Sequence, residues 1–237
     1  MPRPFAHPPQ GPAPRPRCNA GADVVESRPM LDAHDLACLK GDRLLFRGLA
    51  LRVAPGAMLR VAGANGMGKT SLLRILCGLA HAEHGEVRWD GRPTRAERET
   101  FHRALLYLGH APALNDMLTP LENLRFACAA GMDDADEDRC VEALVRIGLA
   151  HQLDLPARVL SQGQRRRVGL ARLFLSARRP LWILDEPFTA LDVAAVADLV
   201  TTLEDHCAAG GMVVLTTHQD APFATPPAIV DLAEVAC

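Results

Sequence analysis

The sequence predicts an α/β fold with a mainly parallel sheet, an antiparallel β lobe and a helical lobe. Three observations predict it. Short apolar runs suited to buried parallel strands recur at 58–62, 181–184 and 212–215. Stretches of helical pattern separate them, and strands alternating with helices build a parallel sheet. The first run enters a glycine-rich loop and then a helix, with Leu72, Ile75, Leu76 and Leu79 on one face at a 3.6-residue period. A length of 237 residues suits one domain, and 49% apolar residues suffice for a sizeable core.

Residues 1–29 carry eight of the eighteen prolines, four arginines and almost no aliphatic side chains. Such a segment cannot bury enough surface to order itself and is expected to be a disordered tail; it has no apolar stretch of the kind a signal peptide needs. Order is expected from Met30. Residues 31–51 mix short alternating stretches with the turn signal Lys40-Gly41-Asp42, which predicts two antiparallel strands. Ala54-Pro55-Gly56 is a turn, and the strand Glu86-Val87-Arg88-Trp89 runs into a tight turn at Asp90-Gly91. Residues 116–157 read as helical, within a lobe of about 110–160. Its acids Asp133, Asp134, Asp136, Glu137 and Asp138 complement a helix dipole ahead of Val141, Leu144, Val145 and Leu149. A basic helix from Gln162 is expected to bury Val168, Ala171, Phe174 and Leu175 and to expose Arg165, Arg166 and Arg167 as a solvated face.

Composition excludes several classes. A net charge of −2 argues against a whole-chain nucleic-acid binder of the histone type. Seven cysteines, odd in number and without a C-x-x-C pair, argue against a disulfide framework, a zinc ribbon and covalent haem attachment, leaving reduced thiols. No run approaches the roughly 18 apolar residues of a membrane span. Only two of the twenty-six cations are lysines, Lys40 and Lys69, so a lysine kept against that bias is a candidate for chemistry.

The chemistry concentrates in four places. Gly63-Ala64-Asn65-Gly66-Met67-Gly68-Lys69-Thr70, followed by Ser71, matches G-x-x-x-x-G-K-[ST] between a strand and a helix. Glycines there let successive N–H groups point at phosphate oxygens, Lys69 supplies a point charge for the β- and γ-phosphates, and Thr70 offers a hydroxyl to Mg²⁺. Leu181-Trp182-Ile183-Leu184-Asp185-Glu186-Pro187 ends a buried strand in two acids, Asp185 for the Mg²⁺ shell and Glu186 to take a proton from attacking water. Leu160-Ser161-Gln162-Gly163-Gln164 opens the basic helix, where Ser161 is an N-cap at an anion-binding helix start. His218 closes the third apolar strand; alone it reads as structural, and beside the other three as part of the site.

These motifs, Walker A at 63–70, signature at 160–164, Walker B with its glutamate at 181–186, then Ala190-Leu191-Asp192 and His218, resemble in order and spacing the nucleotide-binding domain of ABC ATPases over about residues 31–218. The resemblance implies a P-loop NTPase core at 30–237, ATP and Mg²⁺ as ligands, and a head-to-tail homodimer. ATP would lie between one subunit's Walker motifs (63–71) and the other's signature. Ser161 and Gly163, with Gln164 beside them, would reach the γ-phosphate from across the interface. Asp192 would communicate between subunits, and His218 would hold the γ-phosphate and the water.

The wording at 106–112, 118–124 and 182–190 is similar to the ATP-binding subunits of cytochrome c maturation systems, the haem-exporter branch of that family. That branch implies integral membrane subunits as partners, an indirect link to a periplasmic haem chaperone, no nucleic acid, and a peripheral place on the cytoplasmic face of the bacterial inner membrane. Two positions depart from the general pattern. His110 stands where a glutamine usually touches Mg²⁺, and an imidazole is a poorer ligand for a hard cation. No aromatic ring occupies the adenine slot near Lys40 to Arg43, which leaves Arg43 or Phe46 as candidates to meet the base. An importer or lipid-exporter ATPase is the alternative. A chromosome-type relative needs a coiled coil that the ninety residues from Thr70 to Leu160 cannot hold. A translation-type relative needs two cassettes, and a small-molecule kinase leaves 160–164 and His218 unexplained.

Overall fold

A computed structural model of the chain describes residues 29–236, so the proline-rich tail, apart from Pro29, lies outside the described residues. β1 (Leu31–Lys40) and β2 (Arg43–Val53) pair antiparallel across the Gly41–Asp42 turn. β3 (Met58–Ala62) passes through the glycine loop into α1 (Lys69–Leu76). β4 (His84–Trp89) returns to pair with β1 and turns through Asp90 and Gly91 into the short β5 (Arg92–Pro93). Both turn residues have positive φ, 51° and 74°, as a two-residue turn matched to strand twist requires. After α2 (Arg98–Ala104) and β6 (Leu105–Leu108) come α3 (Pro120–Gly131), α4 (Glu137–Arg146) and α5 (Gln162–Ala171). β7 (Leu181–Asp185), α6 (Val193–Ala208), β8 (Met212–Thr216) and β9 (Ala228–Asp231) complete the order.

Two sheets result. One is antiparallel in the order β2-β1-β4-β5; the other is wholly parallel in the order β6-β7-β8-β3-β9. Every residue of β7 and β8 is buried, because helices or strands cover both faces of the parallel sheet. The period of two then divides the core. Leu181 and Ile183 face the antiparallel sheet and α1, while Trp182 and Leu184 face α5, α6 and the helical lobe. The apolar runs at 58–62, 181–184 and 212–215 thus sit at the centre of the sheet, with the glycine loop and Asp185 at its carboxyl edge.

Several local expectations change. α1 ends at Leu76 because Gly78 takes a left-handed φ of 71°, which leaves Leu79 outside the helix and 51% exposed. The stretch 116–157 is two helices rather than one. Thr119 and Glu122 close a capping box with Pro120 in the first turn, and α3 stops where Met132 turns left-handed. Asn123 pins the incoming loop: its side-chain oxygen accepts from Asn115 N (2.7 Å), and its amide donates to the carbonyls of Asn115, Leu118 and Thr119. Of the acids, Asp136 caps α4, and Glu137 and Asp138 lie in its first turn. Asp133 does something else. Its buried carboxylate takes Arg179 Nε (2.6 Å), Arg172 and Ser176 Oγ (3.1 Å).

Candidate nucleotide site

The glycine loop is built for close approach. Gly63, Gly66 and Gly68 have φ of 137°, 84° and 103°, where a side chain is strained. A Cβ on Gly68 would also lie 3.1 Å from Leu45 Cδ1. The loop wraps its own lysine: Lys69 Nζ donates to Gly63 O (2.7 Å) and Ala64 O (3.3 Å), and Ala64 N–H points at Met67 Sδ (3.1 Å). Gly68 starts α1 with no side-chain cap, so the first-turn N–H groups are free for an anion.

The ends of β7 and β8 meet that loop. Asp185, 2% exposed, accepts from Thr70 Oγ1 (2.8 Å) on one oxygen and from Thr216 Oγ1 (2.7 Å) on the other. Thr216 Oγ1 in turn receives Glu186 N–H (2.9 Å). Glu186 has a left-handed φ of 55°, a conformation that costs a non-glycine residue roughly 1–2 kcal/mol and persists only where its surroundings hold it. Its Oε2 accepts from His218 N (3.2 Å). Its Oε1 is buried with no hydrogen bond among the described residues, 3.5 Å from His218 Nε2. A cleft of about 540 Å³ opens here, lined by Asn65, Gly66, Gly68, Lys69, Thr70, Ser71, Asp185, Glu186, Thr189 and His218, with Lys40, Leu45, His110 and Gln219 at its walls. On β6, Tyr107 is half-buried, and burial, with the negative charge of Asp185, pushes its hydroxyl up to about 12.

The signature residues lie elsewhere. Ser161 and Gln164 form a capping box at the start of α5, Gln164 N to Ser161 Oγ at 3.2 Å and Ser161 N to the Gln164 side chain at 2.9 Å. Gln162 and Gly163 line a separate cleft of about 370 Å³ with His110, Thr189 and Ala190. None of 160–164 lines the larger cleft. Asp192 caps α6 through Ala195 N (2.9 Å) and sits 3.4 Å from Arg167 Nη2.

The ABC transporter family matches residues 46–189. The chain belongs to the ABC transporter family. Among its relatives is the cytochrome c biogenesis ATP-binding export protein CcmA of Aromatoleum aromaticum, 81% identical over 90% of this chain and 100% of that one. The protein of the same name from Nitrosomonas europaea is 51% identical over 83% of this chain and 92% of its own. A solved ATP-binding subunit of an ABC transporter superposes with a TM-score of 0.71 at 27% identity, covering 80% of this chain and 79% of that one.

As an ABC ATPase the chain brings its Walker A and Walker B residues and His218 together in one cleft, and holds Ser161, Gly163 and Gln164 apart from it. Of the two candidates for the base, Phe46 is fully buried in the core against Gly68 and does not reach the cleft; Lys40 and Leu45 occupy that wall, and Arg43 is not among its lining residues. One sequence expectation fails. Arg166 is not on a solvated face. It is 8% exposed and donates to four carbonyls of the site. Thr216 was also not singled out, although it positions both acids; its only sequence signal is its place just before Thr217-His218.

Proposed function

We propose that this chain is the ATP-hydrolysing subunit of a membrane complex for cytochrome c maturation, coupling ATP hydrolysis to haem export or to release of a haem-loaded periplasmic chaperone. The cytochrome c assignment is carried by the 81% identity to a relative named for that process. The hydrolytic assignment is supported by the place of Glu186 in the lining of the cleft beside His218, its Oε1 buried without a hydrogen bond among the described residues and so free of any competing donor.

Lys69, freed from the loop carbonyls, would meet the β- and γ-phosphates, with the N–H groups of 63–71 around them. The hydroxyl of Thr70 and the carboxylate of Asp185 are hard oxygens 2.8 Å apart and fit a Mg²⁺ shell. Bound there, the ion would neutralise phosphate charge. Glu186 would orient and deprotonate water, with His218 beside it near the γ-phosphate. His110 lines the cleft in the glutamine's place.

Because none of 160–164 lines the chain's own cleft, the site would be completed by a second copy, whose Ser161 and Gly163 approach the γ-phosphate while Asp192 lies at the interface. Membrane subunits would dock on the helical lobe. There Tyr107, Pro112, Leu114, Asn123 and Ala127 line a groove of about 210 Å³, with Phe126 70% and Met117 68% exposed nearby. Among the described residues no helix is long and apolar enough to cross a membrane, so attachment to the inner membrane's cytoplasmic face would come through those subunits.

The test replaces the chromosomal copy with Glu186→Gln and stains periplasmic proteins for covalently bound haem. Loss of c-type cytochromes, with the membrane subunits still co-purifying, is the expected outcome. Normal cytochrome levels would instead assign the chain to another ABC transporter, an importer or a lipid exporter.

A further inference from the structure

We propose that Arg166 is a positioning residue for ATP hydrolysis, its buried guanidinium fixing the backbones of Asp185–Glu186 and Gly109–His110 to the helix that carries the signature. The proposal rests on Glu186 activating water, as set out above.

Arg166 lies on α5, about one and a half turns beyond Ser161. Its Nη1 donates to Gly109 O (2.7 Å) and His110 O (2.5 Å), and its Nη2 to Glu186 O (2.8 Å) and Asp185 O. One planar fork thereby spans two loops from two strands, β6 and β7. Among the described residues no carboxylate is hydrogen-bonded to it, and its Nε is buried without a partner there. Burial pushes the guanidinium's pKa down, and the charges of Asp185 and Glu186 push it back up. A cation that gives up its hydration for carbonyls alone is a costly way to fill space, and a neutral amide would pack as well. What only the guanidinium offers is two terminal amino groups in fixed relation, each reaching a separate carbonyl pair.

The Glu186 backbone shows what this fixes. Its left-handed φ is held on the N–H side by Thr216 and on the carbonyl side by Arg166 and by Thr189 N (3.2 Å). Releasing the carbonyl lets the backbone relax toward ordinary φ and swings the carboxylate from its place beside His218. The second arm holds His110, which lines both clefts. α5 also carries Ser161 and Gly163, so the helix that would meet the opposite subunit's nucleotide sets the backbone of this subunit's glutamate.

The experiment measures steady-state ATPase activity of the full chain as wild type, Arg166→Gln, Arg166→Lys and Glu186→Gln, with the affinity for a fluorescent ATP analogue and the thermal midpoint of each. Arg166→Gln is expected to lose about 10- to 100-fold in kcat, with KM and analogue affinity within about twofold, because a small misplacement of a reacting group costs that much. Arg166→Lys, which keeps the charge but not the fork, should recover part of kcat. Turnover of Arg166→Gln within about twofold of wild type overturns the proposal, as does a kcat loss matched by an equal loss of analogue affinity and of thermal midpoint. If Arg166→Gln does not fold, Arg166→Lys decides alone: reduced kcat at unchanged KM supports the proposal, and wild-type kcat overturns it. An active Glu186→Gln overturns the base assignment itself, whereas an inactive one beside a wild-type-like Arg166→Gln overturns only the role of the arginine.

Discussion

The parallel sheet and the helical lobe meet across one apolar core, yet their polar groups are satisfied in opposite ways. On the sheet, β7 and β8 are buried along their whole length, and the acid that ends β7 is held by short hydroxyl contacts, Thr70 and Thr216 to Asp185. The lobe is oriented by arginines. Arg166 joins α5 to the ends of β6 and β7. Arg179, just before β7, donates to Leu105 O (2.6 Å) and to Gly131 O while bridging to Asp133. Arg146 from α4 grips Asp198 and Thr202 on α6 and lies 4.0 Å over the Phe174 ring. Apolar burial is non-directional, whereas a guanidinium fork fixes an angle. The difference teaches that apolar packing holds the lobe on the sheet and arginines set its tilt.

That contrast breaks most sharply at Asp133. Asp133→Ala would strand Arg179 and Arg172 beside each other, their side chains 8% and 19% exposed, and is expected to cost about 3–5 kcal/mol in urea unfolding. A loss under about 1 kcal/mol would mean that the arginines there only decorate an apolar joint. On the sheet side the test is steric. A Cβ on Gly211 would fall 2.2 Å from His206 Nε2, and that ring is stacked 3.7 Å from Trp182 with no room to retreat, so Gly211→Ala should cost about 3 kcal/mol.

The smallest effect is a titration. Burial lowers the pKa of His206 from 6.5 to about 4, only partly offset by a bond to the Pro180 backbone. The unfolded chain then binds the proton more readily. Stability is full above pH 6.5 and is lost as pH falls toward 4, by about 2 kcal/mol between pH 7.5 and 5.0. Unfolding midpoints at the two pH values should converge in His206→Gln once its own lower stability is subtracted; an unchanged acid slope would place the titrating group elsewhere.

The same division explains what could be read from sequence. Apolar runs and periodicity reveal β3, β7, β8 and α1, because burial on a sheet or helix face leaves a period, and the glycine loop reveals itself because left-handed turns demand glycine. Arg166 stays hidden. It sits in a run of three arginines, and a fork aimed at backbone carbonyls requires no particular residue opposite it. Asp133 is likewise lost among five acids, four of which are placed at or around the start of α4. Phe46 misleads for the reverse reason: its proximity to the adenine slot in sequence says nothing about which face of β2 it occupies. Thr119 through Glu122 carried a capping-box signal that marks the start of α3 and was there to be read.

Everything proposed for the site requires ATP to be enclosed by two copies of the chain. Light scattering of purified Glu186→Gln at saturating ATP and Mg²⁺ tests this most directly. The predicted result is a species with the mass of two chains that reverts to one chain when Lys69→Ala is added to the same protein. A single-chain mass at every ATP concentration, with bound nucleotide verified, would contradict it.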